Sequence, residues 1–310
     1  MQIKTIRKNI RDKMNDWLSS IDNQDLVKNL KNDIIVTGGC IVSLFFNEKV
    51  NDYDVYIRTR STLMELIKYY TKDLGTDVVI LNGEEKQQYL KEYEDKFGYI
   101  ENEKRSNSYK IAIDNLKEDQ IKLFFNSAPG YKADIPENNG KETPEGAPKY
   151  RLSYLSPNAI SLTDDVQIVI RFWGEPDEIH KNYDFAHATN YFTFSKGLVT
   201  NNEALESLLT KQLIYKGSLY PVTSIIRVKK FVARNWKINA GEMLKMMFQV
   251  SELDLSNHHV LEEQLIGVDV AYFAQLINAI RTLKVPLDAT VLGVLIDRIF
   301  NNDEEDEQDS

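Results

Sequence analysis

The chain has 310 residues, of which 42% are hydrophobic and 27% are charged, and its formal net charge is −9. These proportions are those of an ordinary globular protein that is long enough for two domains. No apolar stretch is long enough to cross a membrane, and charges interrupt the apolar runs near the N-terminus, which excludes a signal-peptide core. Cys40 is the single cysteine and forms no internal disulfide, so we expect a cytoplasmic protein.

The first two predicted elements are a helix and a glycine turn. Residues 1–31 predict helix, because their apolar side chains recur at steps of three and four. The opposite face of this helix is expected to face solvent, with nucleic-acid contact as the alternative. Its basic residues are Lys4, Arg7, Lys8, Arg11 and Lys13. Gly38 and Gly39 then mark a turn, at which the backbone could approach a bulky anion and offer it N–H groups.

An acidic strand is predicted at Asp52–Ile57, after a short amphipathic segment over 41–46. Side chains two positions apart on a strand share a face, so Asp52 and Asp54 are expected to lie side by side. Two carboxylates roughly 5 Å apart repel each other by a few kcal/mol at an effective dielectric constant near 20. A cation between them removes this cost, which indicates a Mg²⁺ site that serves a nucleoside triphosphate. The alternative is an edge strand with solvent-facing carboxylates.

The middle of the chain predicts one more helix and several strands. Thr62 and Glu65 form a capping box that begins a helix extending to residue 74. Strands are expected at 78–81, at 109–113 and at 120–125, and the last two are expected to pair as a hairpin.

A long loop and a second hairpin follow. Residues 127–150 hold four of the eight prolines, so they are expected to form a flexible loop or insertion near a site. Alternating apolar residues predict strands at 159–163 and 166–172, with a turn at Asp164 and Asp165.

From residue 201 onward the pattern changes to helices, among which the methionine-rich segment 243–248 is expected to fill the core. The last ten residues, 301–310, contain six acidic residues and no basic residue, and are expected to be disordered. The sequence therefore predicts an α+β protein, with a small mixed-sheet domain over 1–195, a helical domain over 196–300 and an acidic tail.

The glycine turn and the acidic strand together are similar to a known signature. An apolar residue, Gly-Gly, about a dozen residues and acid-apolar-acid on a strand resemble the DNA polymerase β-like nucleotidyltransferase superfamily. The resemblance implies a mixed-sheet nucleotidyltransferase palm whose triphosphate ligands are Gly38, Gly39 and Ser43, although Ser43 could instead be a helix-end residue. The implied ligands of Mg²⁺ or Mn²⁺ are Asp52 and Asp54. The implied reaction transfers a nucleoside monophosphate to a hydroxyl and releases pyrophosphate.

Two later segments resemble parts of CCA-adding enzymes and bacterial poly(A) polymerases, which form one subgroup of that superfamily. Asp184-Phe185 corresponds to the palm edge of that subgroup, and a basic helix expected within 225–238 corresponds to the helix after it. The double arginine ahead of Asp184 is missing. The base-reading Glu-Asp-x-x-Arg is missing too, because 220–224 contains no acid and no arginine. The chain therefore looks closer to nucleotidyltransferase-like proteins of large bacteriophages than to a tRNA CCA-adding enzyme.

The resemblance leaves the third metal-binding carboxylate open. The candidates are Asp184, Asp165 and Asp114. Asp184 is preferred, because it lies in the segment that resembles the palm edge. Asp184 could instead select the ribose, with Gln167 marking a lost third ligand. His180 and His187 flank Asp184 and are expected to be structural rather than metal ligands.

A basic strip on the second half of the chain completes the candidate site. Arg227, Lys230 and Arg234 recur at helical spacing, and they are expected to contact a nucleotide or a nucleic-acid backbone, or else to form a solvated face. The predicted function is a metal-dependent nucleotidyltransferase that uses a nucleoside triphosphate and an RNA, tRNA or other nucleic-acid acceptor. If the chain is phage-encoded, it is expected to act in the host cytoplasm. The alternative is an inactive palm-fold protein that binds nucleotide or nucleic acid, or that serves phage assembly.

Overall fold

A computed structural model describes residues 2–72, 74, 78–82, 121–125, 131–132, 149–156, 158–255, 257, 260–261, 264–265, 290–291 and 293–296. The chain divides into two compact units. Unit 1 contains Met1–Lys181 and Ala188–Asn201, and unit 2 contains Asn182–His187 and Asn202–Ser310. The domain bounds 1–195 and 196–300 stay predictions, and the tail 301–310 lies outside the described residues. No helix in the described part of the chain is both long and apolar enough to cross a membrane.

Unit 1 combines helices with a mixed sheet, which confirms the predicted α+β fold class. Its helices, in the residues described, are α1 (Ile3–Ser19), α2 (Gln24–Asp33), α3 (Gly39–Phe46), α4 (Arg60–Thr71) and α5 (Pro176–His180). Its strands there are β1 (Ile34–Thr37), β2 (Tyr53–Ile57), β3 (Val78–Asn82), β4 (Ile121–Phe125), β5 (Tyr131–Lys132), β6 (Leu152–Leu155), β7 (Ala159–Leu162), β8 (Val166–Val169), β9 (Tyr191–Thr193) and β10 (Gly197–Val199).

The N-terminal region forms two helices where the sequence predicted one over 1–31. The chain leaves α1 after Ser19, and the side chain of Asn23 then caps α2 by accepting a hydrogen bond from the backbone N–H of Leu26 at 3.1 Å. An asparagine side chain satisfies one of the first N–H groups of a helix, so it favours a new helix start at this position.

Eight strands form one sheet in the order β10-β9-β1-β2-β8-β7-β6-β5. The neighbouring strands pair in antiparallel fashion, except that β2 and β8 are parallel. One face of the sheet is apolar and packs into the main core, with Val55 of β2, Ile168 of β8 and Ile160 of β7 in register and fully buried. Helices α1 to α4 contribute the other side of this core, including the fully buried Trp17.

A separate two-stranded sheet contains the strand that was predicted at 120–125. This strand is present as β4, and it pairs with β3 in antiparallel register. The predicted hairpin with 109–113 stays a prediction, because 109–113 lies outside the described residues. The loop predicted over 127–150 also lies mostly outside them, although β5 falls within it and extends the main sheet.

The predicted hairpin at β7 and β8 is confirmed, and its turn is tied to α1. Asp164 and Asp165 have φ angles of 61° and 58°, and two positive φ angles are typical of a tight hairpin turn. The Asp164 carboxylate accepts a hydrogen bond from Lys13 Nζ at 2.6 Å and lies 3.2 Å from Lys149 Nζ. The basic face of α1 was expected to be solvated. That prediction is wrong for Lys13, whose side chain is only 15% exposed.

Unit 2, where described, contains α6 (Asn202–Thr210), α7 (Pro221–Ala233) and α8 (Ala240–Ser251). Helix α7 begins at Pro221, earlier than the basic helix expected within 225–238. Residues 221–224 form the first turn of α7, and proline is well tolerated in the first turn of a helix. The prediction that 243–248 fills the core is wrong except for Met246. The exposed side chains of this segment are Met243, Leu244, Met247 and Phe248.

The Asp164 contacts generate a stability prediction. We expect Asp164→Asn to lower the free energy of unfolding by about 1–2 kcal/mol, because it keeps a residue that tolerates positive φ but removes the charge that pairs with Lys13. Asp165→Asn is the matched control, because it makes the same change at the neighbouring, exposed turn position. Urea unfolding of both variants measures the difference, and equal losses would contradict a stabilising role for this ion pair.

Candidate nucleotide and metal site

The end of β1 is held by a buried hydroxyl. Thr37 is fully buried, and its Oγ1 lies 2.9 Å from His180 Nε2 and 2.9 Å from the carbonyl oxygen of Asn190. The backbone N–H of Gly38 donates to the carbonyl oxygen of Ala188 at 3.1 Å. These bonds fix the point at which the chain leaves the sheet and turns into α3.

The turn itself requires glycine at one position and leaves open space at the next. Gly38 has a φ of 92° and a ψ of −150°, a conformation that L-residues with a Cβ rarely adopt. Gly39 is the first residue of α3, and a Cβ built there would meet no atom within 4 Å. The first N–H groups of a helix have no acceptor within the helix and carry a partial positive charge, so they favour an anion. The backbone at Gly39 therefore has both the polarity and the room for a phosphate group.

Ser43, the third implied triphosphate ligand, is the fifth residue of α3. It lies four positions after Gly39, so it shares a helical face with that glycine one turn further on. Its backbone carbonyl accepts a hydrogen bond from the N–H of Glu48 at 2.9 Å, close to the C-terminal end of the helix.

The acidic pair lies next to this turn. Strand β2 begins at Tyr53, so Asp52 immediately precedes it and is exposed, whereas Asp54 is half-buried on the strand. The β1–β2 register pairs Val36 with Val55, and one further step along it sets Thr37 opposite Asp54. Burial raises the pKa of the Cys40 thiol in the first turn of α3, and the Asp54 carboxylate raises it further. The glycine turn and Asp54 are therefore neighbours within unit 1.

A polar row crosses the face of the sheet opposite the main core. Asp54 is paired in register with Gln167 on β8, and Gln167 is paired with Ser161 on β7. Residues in register on neighbouring strands point to the same face, so these three side chains form a row that continues from Thr37.

The donors in this region suit a hard divalent cation. Asp52, Asp54 and Gln167 offer carboxylate and amide oxygens, the ligand type that Mg²⁺ and Mn²⁺ prefer. Among the residues that the structure describes, no group of three or more His, Cys, Asp or Glu side chains is placed to hold a metal ion. An acidic site in unit 1 would therefore rest on the pair Asp52 and Asp54, with its remaining oxygen ligands from other groups.

The candidates for a third carboxylate lie in different places. Asp165 lies in the hairpin turn, where its side chain is exposed and its backbone carbonyl accepts the N–H of Tyr53 at 2.8 Å. Asp114 lies outside the described residues. Asp184 belongs to unit 2, where its nearly buried carboxylate accepts a hydrogen bond from Arg227 Nη1 at 2.7 Å. An arginine partner competes with a metal ion for a carboxylate. Both roles of Asp184, as the third metal ligand and as the ribose-selecting residue, stay predictions.

The two histidines are held neutral by their surroundings. Burial lowers the pKa of His180 to about 4, and this ring contacts Thr37. Burial also lowers the pKa of His187 to about 4, with the positive charge of Arg234 adding to the effect and Asp184 opposing it. The His187 ring packs against Phe231 and Trp236 at centroid distances of 4.7 and 4.5 Å. Both rings thus occupy structural positions, as the sequence indicated.

The three residues of the basic strip differ in how exposed they are. Arg227 pairs with Asp184, and its side chain remains 43% exposed. Lys230, near the end of α7, and Arg234, which follows the helix directly, are both exposed. Their spacing of three and four residues places all three on one side of the helix. Trp236 is buried and packs against His187.

Unit 1 is thus an α+β domain in which a glycine turn at a helix start adjoins a carboxylate strand. The chain belongs to the Gabija anti-defense 2 (Gad2) family, whose model matches residues 8–211. A comparison with curated proteins gives no match. Among solved structures, the chain is similar to a Thermotoga maritima CCA-adding enzyme complexed with tRNA, with 13% identity and a TM-score of 0.37. The alignment covers 86% of this chain and 55% of that chain, so this chain spans about half the length of its structural neighbour.

The two glycines generate a prediction with an internal control. We expect Gly39→Ala to fold normally, because a Cβ there meets no atom within 4 Å, and to bind a nucleoside triphosphate at least about tenfold more weakly, because the methyl group fills the space for a phosphate. Gly38→Ala should instead cost about 1–2 kcal/mol of stability through its φ of 92°. Calorimetric titration and thermal unfolding measure the two effects. Unchanged triphosphate affinity in Gly39→Ala would contradict this phosphate site.

The buried His187 ring generates a pH prediction. Its folded-state pKa of about 4 lies below the ordinary 6.5, so its contribution to stability is complete above pH 6.5 and is lost as the pH falls toward 4. We expect this one residue to reduce stability by about 2 kcal/mol between pH 7 and pH 5. His187→Phe suits the aromatic surroundings and removes the titration, so urea unfolding at the two pH values should show a smaller loss for the variant. An equal loss in both proteins would contradict this assignment.

Proposed function

We propose that this chain is a metal-dependent nucleotidyltransferase that moves a nucleoside monophosphate from a nucleoside triphosphate to an acceptor hydroxyl. The proposed acceptor is RNA, including tRNA, or another nucleic acid. The observation that carries the proposal is the adjacency of the glycine turn at the start of α3 to Asp54 on β2. A phosphate-binding backbone next to a carboxylate pair is the combination that phosphoryl transfer requires.

The proposed roles in unit 1 divide between the turn and the strand. The backbone at Gly38 and Gly39 would hold the triphosphate, with Ser43 one turn along the same helical face. Asp52 and Asp54 would hold Mg²⁺ or Mn²⁺, which neutralises phosphate charge and lowers the pKa of the attacking hydroxyl. The hydroxyl oxygen bonds to the α-phosphorus, the bond from that phosphorus to the bridging oxygen breaks, and pyrophosphate leaves. The hydroxyl proton passes to solvent.

The proposed roles in unit 2 concern binding. Arg227, Lys230 and Arg234 would contact phosphates of a nucleotide or of a nucleic-acid backbone, because guanidinium and ammonium groups on one side of a helix match a row of phosphates. Asp184 would act by holding Arg227, with which it already forms an ion pair, rather than as the third catalytic carboxylate.

Family membership supports a biological setting for the reaction. The chain belongs to a family described by its action against Gabija, so we propose that nucleotidyl transfer is the means by which this chain counteracts that defence. The acceptor would then be a nucleic acid on which the defence depends.

A second candidate function is a palm-fold protein that binds nucleotide or nucleic acid without transfer. It is favoured by one observation, namely that the position in register with Asp54 on the neighbouring strand is the amide Gln167 rather than a carboxylate. With a neutral side chain at this position, only Asp52 and Asp54 of the proposed ligands compensate the charge of the metal ion, whereas the nucleotidyltransferase resemblance implies a third carboxylate.

Transfer by the purified full chain tests the proposal. Each labelled ribonucleoside and deoxynucleoside triphosphate is supplied with Mg²⁺ or Mn²⁺ and a pool of tRNA, total RNA and oligonucleotides. We expect label to move onto one acceptor class, and Asp54→Asn to reduce the rate by at least about a thousandfold, because it removes a charged metal ligand.

The control is Asp12→Asn, which makes the same change at an exposed position on α1. It should transfer at the wild-type rate. Label transfer that persists in Asp54→Asn would contradict the proposed site. Metal-dependent triphosphate binding without pyrophosphate release from any acceptor would favour the binding function instead.

A further inference from the structure

Gln167 is a polar side chain in the middle of an otherwise apolar strand. Its neighbours on β8, Val166 and Ile168, point into the main core, whereas Gln167 points to the opposite face and is half-buried. The hairpin register pairs it with Ser161, and the parallel register pairs it with Asp54. The amide thus lies between a hydroxyl on one side and a carboxylate on the other.

The amide makes its hydrogen bond on the hydroxyl side. Gln167 Nε2 donates to Ser161 Oγ at 3.4 Å. This bond engages the amide nitrogen, so the carbonyl oxygen is the amide atom that remains to bind a cation. Gln167 is in register with Asp54, and a carbonyl oxygen and a carboxylate repel each other where they meet, because both are hydrogen-bond acceptors. A cation between them reverses the sign of this interaction.

We propose that the side-chain carbonyl oxygen of Gln167 is a neutral ligand of the divalent cation held by Asp52 and Asp54, and that Ser161 is a positioning residue that orients this amide. This inference rests on the proposed function, because it adds a ligand to the same site. In this inference Gln167 is a ligand and not the mark of a lost one. The site then has three protein oxygen ligands, and it carries one negative charge fewer than a site with three carboxylates.

A neutral third ligand has a chemical consequence. The cation keeps more of its own charge than it would with three carboxylates, so it attracts the triphosphate oxygens more strongly, while the protein site as a whole holds the cation less strongly because it has one negative charge fewer. The protein alone should therefore bind Mn²⁺ weakly, and the nucleotide should strengthen that binding.

Binding of Mn²⁺ to the full chain tests the inference without any transfer reaction. The free Mn²⁺ signal in electron paramagnetic resonance gives the affinity directly. We expect Gln167→Met, which is nearly isosteric, to weaken Mn²⁺ binding about fivefold, and Gln167→Glu to tighten it about tenfold, because ligand number and charge set the affinity of oxygen sites. Thermal unfolding of each variant checks that the chain is folded.

The role of Ser161 is tested by a double-mutant cycle. Ser161→Ala should weaken Mn²⁺ binding about threefold in the wild-type background, because the amide loses the partner that fixes its orientation. It should have no effect in the Gln167→Glu background, because both oxygens of a carboxylate are ligands and no orientation is needed. A structural role for Ser161 would weaken binding equally in both backgrounds and would overturn the positioning role.

Asp54→Asn separates failure of this inference from failure of the proposed function. If Asp54→Asn abolishes Mn²⁺ binding while Gln167→Met and Gln167→Glu bind as the wild type does, the metal site stands and the role of Gln167 is overturned. If Asp54→Asn also binds Mn²⁺ with wild-type affinity, the metal site of the proposed function is overturned together with the role of Gln167.

Discussion

The anchoring of the end of β1 by the Thr37 hydroxyl is the constraint on which the candidate site depends. Thr37 is fully buried and bonds to the chain at Asn190 and to His180, while Gly38 bonds to Ala188. These contacts fix where β1 stops, and the positive φ of Gly38 then directs the chain into α3. A buried polar group without a partner costs 1–3 kcal/mol, so the network resists any shift of the turn. The start of α3 is thereby held next to Asp54.

The second constraint is the parallel pairing of β2 with β8. It brings Gln167 beside Asp54 although the two residues are more than a hundred positions apart in the chain. The tight turn at Asp164 and Asp165 sets the register of β8 against β7, and Lys13 holds that turn to α1. The polar row across the sheet therefore depends on the pairing of β2 with β8, on the pairing of β7 with β8 and on the contact of Lys13 with the hairpin turn. No local sequence pattern specifies it.

The features that could be predicted from the sequence are those encoded locally. The glycine turn, the strand that carries Asp54 and the Asp164 hairpin each follow from residue preferences over a few positions. The pairing of β3 with β4 and the ion pair of Arg227 with Asp184 could not be predicted, because they join segments about forty residues apart. The exposure of the methionine-rich α8 was missed for a related reason, since periodicity identifies an apolar face but not what covers it.

The central claim is that the start of α3 and the acidic strand form one nucleotide and metal site. The most direct test is amide NMR of the labelled full chain, titrated with Mg²⁺ and a non-hydrolysable nucleoside triphosphate and then with Mn²⁺. The account predicts the largest shifts at Gly39, Cys40 and Ile41, followed by Mn²⁺ broadening centred on Asp52–Asp54. Shifts confined to other parts of the chain, with Gly39 and Asp54 unaffected, would contradict it.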